Sequence, residues 1–289
     1  MRSLPRRSRR THAGPSRARR GASLPELLIA LVVLGIIGAA SVRLLISQTS
    51  FYDVQMKQRA ARNVSRAAVN MMLSDIRMVE STGGVEAITS TSVTLRIPYA
   101  MGMACGTVGP VSVIALLPAD STVLANATPS GHGWRDASGA YTYTNGSVAT
   151  ISGGTALCNF VNISAVPGGR VIAMSPALPS GAAPGDAVFL YQRIRYEFKS
   201  SDVLPGRVAL WRTVIDTDTH EELAAPFESS AHFRFFQFDR DTSDVTATAS
   251  DVRGLELVLN AESRYAASGE SAKERSPFRT AVFFNNRVN

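Results

Sequence analysis

At 289 residues the chain has room for one good-sized domain or two small ones, and at 45% apolar and 18% charged residues it is too apolar for a disordered chain. The formal charge of +7 belongs to one end: eight of the thirty basic residues lie within residues 1–21, which hold no acid, leaving 22 basic against 23 acidic residues, a net −1, in residues 22–289. No basic run marks the body of the chain, which argues against a nucleic-acid partner. The arginine cluster reads instead as a cytoplasmic topogenic signal, which fits the segment that follows it.

From Leu27 to Val42 the chain runs LLIALVVLGIIGAASV with no charge, then Arg43, Leu44, Leu45 and Ile46. The stretch from Ala22 to Ile46 meets the roughly 20 residues a helix needs to cross the hydrocarbon. The positive-inside rule places residues 1–21 in the cytoplasm and the large C-terminal part outside; Arg43 near the outer end can snorkel to the interface. A secretory signal has its small-residue cut after the apolar core. Here Gly21, Ala22 and Ser23 come before it and no A-x-A site follows it. An uncleaved signal anchor fits better, but Glu26 at the start of the run gives a simple anchor nothing. A carboxylate entering the hydrocarbon costs several kcal/mol unless protonated, solvated or paired, whereas one close to a new N-terminus can pair with an ammonium.

The order of basic leader, Gly21, Glu26 and apolar run in Gly21-Ala-Ser-Leu-Pro-Glu26-Leu-Leu-Ile-Ala-Leu-Val-Val resembles the cleavage and methylation motif of type IV prepilins. The resemblance covers about 25 residues. It implies that a prepilin peptidase cuts after Gly21 and that Ala22 becomes the methylated N-terminus. Glu26 then stands fifth in the mature chain and accepts the N-terminal ammonium of a neighbouring subunit in the filament. In low dielectric such a pair fixes register, since either partner left alone is penalised. The family usually carries phenylalanine after the cut, where Ala22 stands, and an apolar residue before the glutamate, where Pro25 stands. Proline is tolerated in a first helical turn, and both departures suit a low-copy subunit better than a major pilin. Gly35 and Gly38 permit close helix approach or are ordinary membrane-helix glycines.

From Phe51 to Val79 a helical stripe of Val54, Ala61, Val64, Ala68, Met72, Ile76 and Val79 continues. Arg59, Arg62, Asn63, Ser65 and Arg66 lie off it, and Glu80-Ser-Thr-Gly-Gly84 stops it. One helix over about residues 23–80 is expected, half in membrane and half packed on a domain. Met71, Met72 and Met78 read as gap-filling core contacts. The basic face of Lys57, Arg59, Arg62, Arg66 and Arg77 reads as solvated, with acidic lipid or a partner subunit as the alternative.

Beyond Gly84 the period becomes two. Strands are expected over Val93–Ile97 and Val111–Leu117, and a type I′ hairpin over residues 141–151, centred on Asn145-Gly146. Further strands are expected near Ala187–Phe198, Arg207–Val214, His232–Phe238, Gly254–Asn260 and Arg279–Phe284. The expected fold is α+β and pilin-like, a long N-terminal helix packed on a mainly antiparallel sheet. It divides into a leader (1–21), a transmembrane part (22–46), an extramembrane helical part (47–80) and a β-rich domain (81–289). The Gly-, Ser-, Thr- and Ala-rich stretch 101–184 reads as an elaboration between core strands, either a binding region or a variable decoration. Cys105 and Cys158 match no zinc or redox spacing. In an oxidising compartment they can form a disulfide contributing about 3–4 kcal/mol; the alternative is two separate buried thiols.

Tyr196-Glu-Phe198, Val208-Ala-Leu-Trp-Arg212, Phe233–Phe238, the terminal Arg279–Arg287 and the Asn63–Arg77 helix resemble, more diffusely, the W-type minor pilins and the J-type pseudopilins of type II secretion. The two resemblances together imply a minor pilin or pseudopilin. Such a subunit sits in a bacterial inner membrane, is processed by the prepilin peptidase, and primes or caps a filament with other pilins. No catalytic, metal or cofactor residue is assigned. His132, His220 and His232 lack metal spacing, the clusters Asp216–Glu222 and Asp239–Asp244 lack the EF-hand pattern and read as solvated turns, and no G-x-S-x-G, H-E-x-x-H or P-loop occurs. The alternatives are a membrane-anchored binding module or adhesin, and a tethered enzyme with a dispersed triad; both leave Glu26 replaceable.

Overall fold

The computed structural model describes residues 23–136, 138–149, 158 and 167–284. Gly21 and Ala22 lie outside these, as do residues 285–289. The architecture is α+β. One 53-residue helix, α1 (Leu24–Ile76), precedes a sheet of 14 strands in which every pairing is antiparallel. By contacts the chain divides into two units, residues 1–52 and 53–289.

The first described unit is apolar helix. At its start the Ser23 backbone N–H donates to the Glu26 carboxylate at 3.4 Å, one of the two contacts of a capping box, and Pro25 falls in the first turn, where a missing N–H costs nothing.

In the second unit, the remainder of α1 packs on strands. Ala61, Ser65, Ala68, Val69, Met72 and Ile76 are buried. Small residues at 61, 65 and 68, at three- and four-residue steps, lie on its buried face. The helix stops at Ile76, four residues before the expected end. There the ladder tightens to i→i−3 bonds, Met78 to Asp75 and Val79 to Ile76, and Val79 and Glu80 remain buried beyond it. Met72 belongs to the core as expected, but Met71 and Met78 are 46% and 45% exposed, so the gap-filling role holds for one of the three. Ser65, expected off the stripe, is fully buried.

The strands are β1 (Val85–Ile88), β2 (Ser92–Val108), β3 (Val111–Leu116), β4 (Gly131–Arg135), β5 (Tyr141–Asn145), β6 (Ser147–Ala149), β7 (Arg170–Ser175), β8 (Ala187–Ser200), β9 (Val208–Val214), β10 (Thr219–Phe227), β11 (His232–Gln237), β12 (Ser243–Asp244), β13 (Val252–Glu262) and β14 (Arg275–Phe283), with a short helix α2 (Pro118–Ala125) after β3. Along the sheet they run β12-β11-β13-β10-β9-β8-β2-β3-β7-β6, with β1 on β2, β14 on β13, and β4 between β5 and β8.

The two longest strands, β2 and β8, pair along most of their length and serve two cores. Leu95, Ile97, Ile194 and Tyr196 join the cluster under α1 with Phe233, Phe235, Leu255 and Leu257. Past a register shift at Pro98/Ala100, Ala100, Val188 and Leu190 join a second cluster with Ile114, Leu116, Trp134 and Met174. Proline, without an N–H for the ladder, sits at that irregularity, where it is tolerated. The 101–184 region is thus built as an extension of the same sheet with an apolar cluster of its own.

The expected Asn145-Gly146 hairpin does not form. β5 pairs with β4 and β6 pairs with β7, so the two residues turn a corner between different partners. A Cβ at Gly146 would run into the Ser175 carbonyl, and the Gly146 N–H donates to the Ser130 carbonyl. The glycine is needed for this close approach, not for a tight turn.

Candidate functional site

The N-terminal segment is the feature with the clearest chemical meaning. Every large apolar side chain from Leu24 to Ile46 is at least 48% exposed, Val33 being the least and Leu24, at 76%, the most. A contiguous bare surface of this kind far exceeds what a soluble monomer shows and requires an apolar medium or partner. Among the described residues α1 is the one helix long and apolar enough to cross a membrane. The expected glycines Gly35 and Gly38 have nothing within 4 Å of an added Cβ, so they leave room on the helix for a close neighbour.

Glu26 is exposed at the head of this surface, and Ser23 is the partner its carboxylate has among the described residues. Gly21 and Ala22, the expected processing residues, lie outside the described residues.

In the second unit α1 is tied down by polar contacts that the sequence pattern did not reveal. Tyr196, fully buried on β8, donates its hydroxyl to Asp75 Oδ2 at 2.5 Å, and Arg212 Nε donates to the same oxygen at 3.2 Å. Burial, then the Asp75 charge, pushes the Tyr196 phenol well above its ordinary range, keeping it a donor. Further along the helix, Gln58 donates to Glu274, the Ser268 N–H donates to Asp53 at 2.6 Å, and Lys57 lies over the Tyr265 ring. The loop before β14 therefore clasps the helix. Alternating apolar and polar residues on β8 and β9 could have signalled two-faced strands, but the partner of Tyr196 lies 121 residues away.

Cys105 and Cys158 are joined by a disulfide, with Cα atoms 4.9 Å apart. It sits in a small cluster with Val113, Ala115 and Val171 and closes a 53-residue separation. The bond belongs to the part of the sheet built by β2, β3 and β7.

Of the two acidic clusters, residues 239–242 are an exposed turn and bend and Asp216 and Asp218 stand at a second turn, as expected, while Glu222 differs. Glu222 lies within β10, not in a solvated turn, and accepts from Ser201 Oγ at 2.6 Å and from the Asp202 N–H at 2.9 Å. Asp216 reaches Arg193 at 3.4 Å. Asp244 caps the N–H groups of Val245 and Thr246, which holds its carboxyl below the usual range, and Asp241 reaches Arg253. Among the described residues no three His, Cys, Asp or Glu side chains converge as metal ligands would.

His132 on β4 is unusual: it is fully buried and neither ring nitrogen has a hydrogen-bond partner. Strand alternation puts it on the same face as Trp134, opposite Leu190 of β8. Burial alone lowers its pKa to about 4, so it is a neutral core residue at ordinary pH.

No protein-family model, curated protein or solved structure matches the chain.

Proposed function

We propose that the chain is a minor pilin or pseudopilin: a structural subunit made as a prepilin and cut after Gly21. It enters a type IV pilus or type II secretion filament through the helix that begins at Ala22. The observation that carries this reading is the order of basic leader, Gly21, Glu26 and uncharged run, heading a helix whose apolar side chains are bare from Leu24 to Ile46. An anchor needs the apolar surface; it does not need a carboxylate at its head. In this reading the chain has no catalytic role and is itself the substrate of a prepilin peptidase. The inner membrane holds it before assembly, with the β-rich unit outside the cytoplasm.

A membrane-anchored binding module is the second reading, and the contact from the Ser23 N–H to Glu26 favours it, because it gives Glu26 a local role. The two readings separate on paired substitutions. Ser23→Ala leaves the contact from the Ser23 backbone N–H in place, whereas Glu26→Gln removes the charge of the carboxylate that accepts it. The filament reading predicts that Glu26→Gln removes the chain from sheared surface filaments while Ser23→Ala does not. Equal recovery of both variants from that fraction contradicts the filament reading and supports a plain anchor.

A further inference from the structure

Beside α1, a groove of about 490 Å³ runs between the helix and the β9–β10 side of the sheet. Ala60, Val64 and Ala67 form one wall and Leu204, Leu223 and Pro226 the other. It shares Val203, Leu204, Pro226 and Arg264 with a second hollow of about 300 Å³ that reaches Tyr265 and Lys273. Val203 and Tyr265, at the junction and the far end, are 68% and 63% exposed.

The charges around this apolar floor are unbalanced. Both carboxylates in the groove are already engaged, Glu222 with Ser201 and the Asp202 N–H, and Glu262 with Arg207 at 2.7 Å. The acids of α1 are likewise committed, Asp53 to Lys57 and the Ser268 N–H and Asp75 to Tyr196 and Arg212. Arg59, Arg62 and Arg66 are exposed. They stand within about one-sixth of the helix circumference, to one side of Asn63, which lines the groove and lies one turn from both Arg59 and Arg66; Arg62 is at the far edge of the stripe, about 100° round the helix from Asn63. None of the three has a carboxylate partner among the described residues, nor has Arg264 on the opposite wall. Like charges at i,i+3 and i,i+4 destabilise a helix slightly, so the stripe carries a cost that an anionic partner relieves. Arginine, with its planar fork, is suited to carboxylates at an interface.

We propose that this groove docks an acidic amphipathic segment of a partner protein, its apolar side chains on the Val64–Leu204–Pro226 floor and its carboxylates on Arg59 and Arg66 at the helix rim and on Arg264 opposite. The chain's own leader is excluded as occupant by its like charge. A second copy offers no matching helix: α1 carries three scattered acids, Glu26, Asp53 and Asp75, and α2 carries Asp120. The proposal stands on the second unit alone and does not depend on the filament reading.

The test uses the full chain in a zwitterionic detergent and fluorescence anisotropy of a labelled peptide of about 18 residues with leucines at helical i, i+3, i+4 and i+7 steps and glutamates between them. Three comparison probes are a scrambled peptide, a lysine-for-glutamate peptide and a single-stranded oligonucleotide. The acidic amphipathic peptide is expected to bind at least about tenfold tighter than each of these, and more weakly as salt rises. R59E/R66E, and separately R264E, are expected to weaken it about tenfold. Ala60→Trp, which fills the groove from an exposed helix position, is expected to cause a similar loss with an unchanged melting temperature. The proposal is overturned by any of four results: no binding; equal binding of the scrambled peptide; tighter binding of the oligonucleotide, which marks a general polyanion surface; or self-association of the chain that the same variants abolish.

Discussion

The two stretches of α1 differ in what covers them. From Leu24 to Ile46 every large apolar side chain is bare; from Ala61 to Ile76 the stripe, Ser65 included, is buried, and Arg62, Asn63 and Arg66 face out. The first stretch is apolar all round and the second on one side, the distinction between a helix made for lipid and one made for a protein core. The difference shows where helical order comes from. In the covered stretch, tertiary packing supplies it, with Ala61, Ala68, Met72 and Ile76 buried and Asp75 held by Tyr196 and Arg212. In the bare stretch, the surroundings must supply it.

That contrast can be sharpened by perturbing each region in turn. The largest effect is expected away from the helix. Reducing the Cys105–Cys158 bond, which spans 53 residues, should lower stability by about 4 kcal/mol in the chain-entropy model. The melting temperature with and without reductant, against Cys105→Ser/Cys158→Ser, measures it. Next, Met72→Ala, at a fully buried position, should cost about 3 kcal/mol, whereas Leu34→Ala in the bare stretch should leave denaturant unfolding of the β-rich unit within about 0.5 kcal/mol. Equal effects would break the division between the two stretches.

Acid provides the third handle. His132 has its folded pKa lowered to about 4 from 6.5. Above pH 6.5 it contributes no pH dependence. As pH falls from 6.5 toward 4 the unfolded state binds a proton that the folded state does not, so stability is lost across that window, by about 3 kcal/mol in full. His132→Leu should flatten this slope in a urea-midpoint series, and an unchanged slope would contradict the assignment. Smaller still, Tyr196→Phe should cost about 1–2 kcal/mol by leaving Asp75 one donor short, read as a shift in urea midpoint at constant m.

What the sequence made legible follows the same division. Periodicity alone located the apolar run, the stripe from Ala61 to Val79, and the strands β8, β9, β11 and β13, because each has a face committed to one environment. It missed β4, whose Gly131-His-Gly-Trp134 sequence has little strand propensity and is held by β5 and β8 on either side. It missed β10, whose start lies under the acidic residues Glu221 and Glu222; Glu222 is spent on the 201–203 turn. The Asn145-Gly146 pair was misleading because tertiary pairing with β4 and β7 outweighs a local turn preference. Of the proposed assembly site, the order of Gly21, Glu26 and the apolar run was legible, while the capping contact from Ser23 and the Asp75–Tyr196–Arg212 anchor required three-dimensional proximity.

The central claim is that this helix belongs to a processed filament subunit, and the most direct measurement is the intact mass and N-terminal sequence of the membrane-extracted chain, with and without an active prepilin peptidase. The account predicts a chain beginning at methylated Ala22 that appears only with the peptidase. A chain still carrying Met1–Gly21, beside a peptidase that processes other prepilins, would contradict it and leave a plain anchored ectodomain.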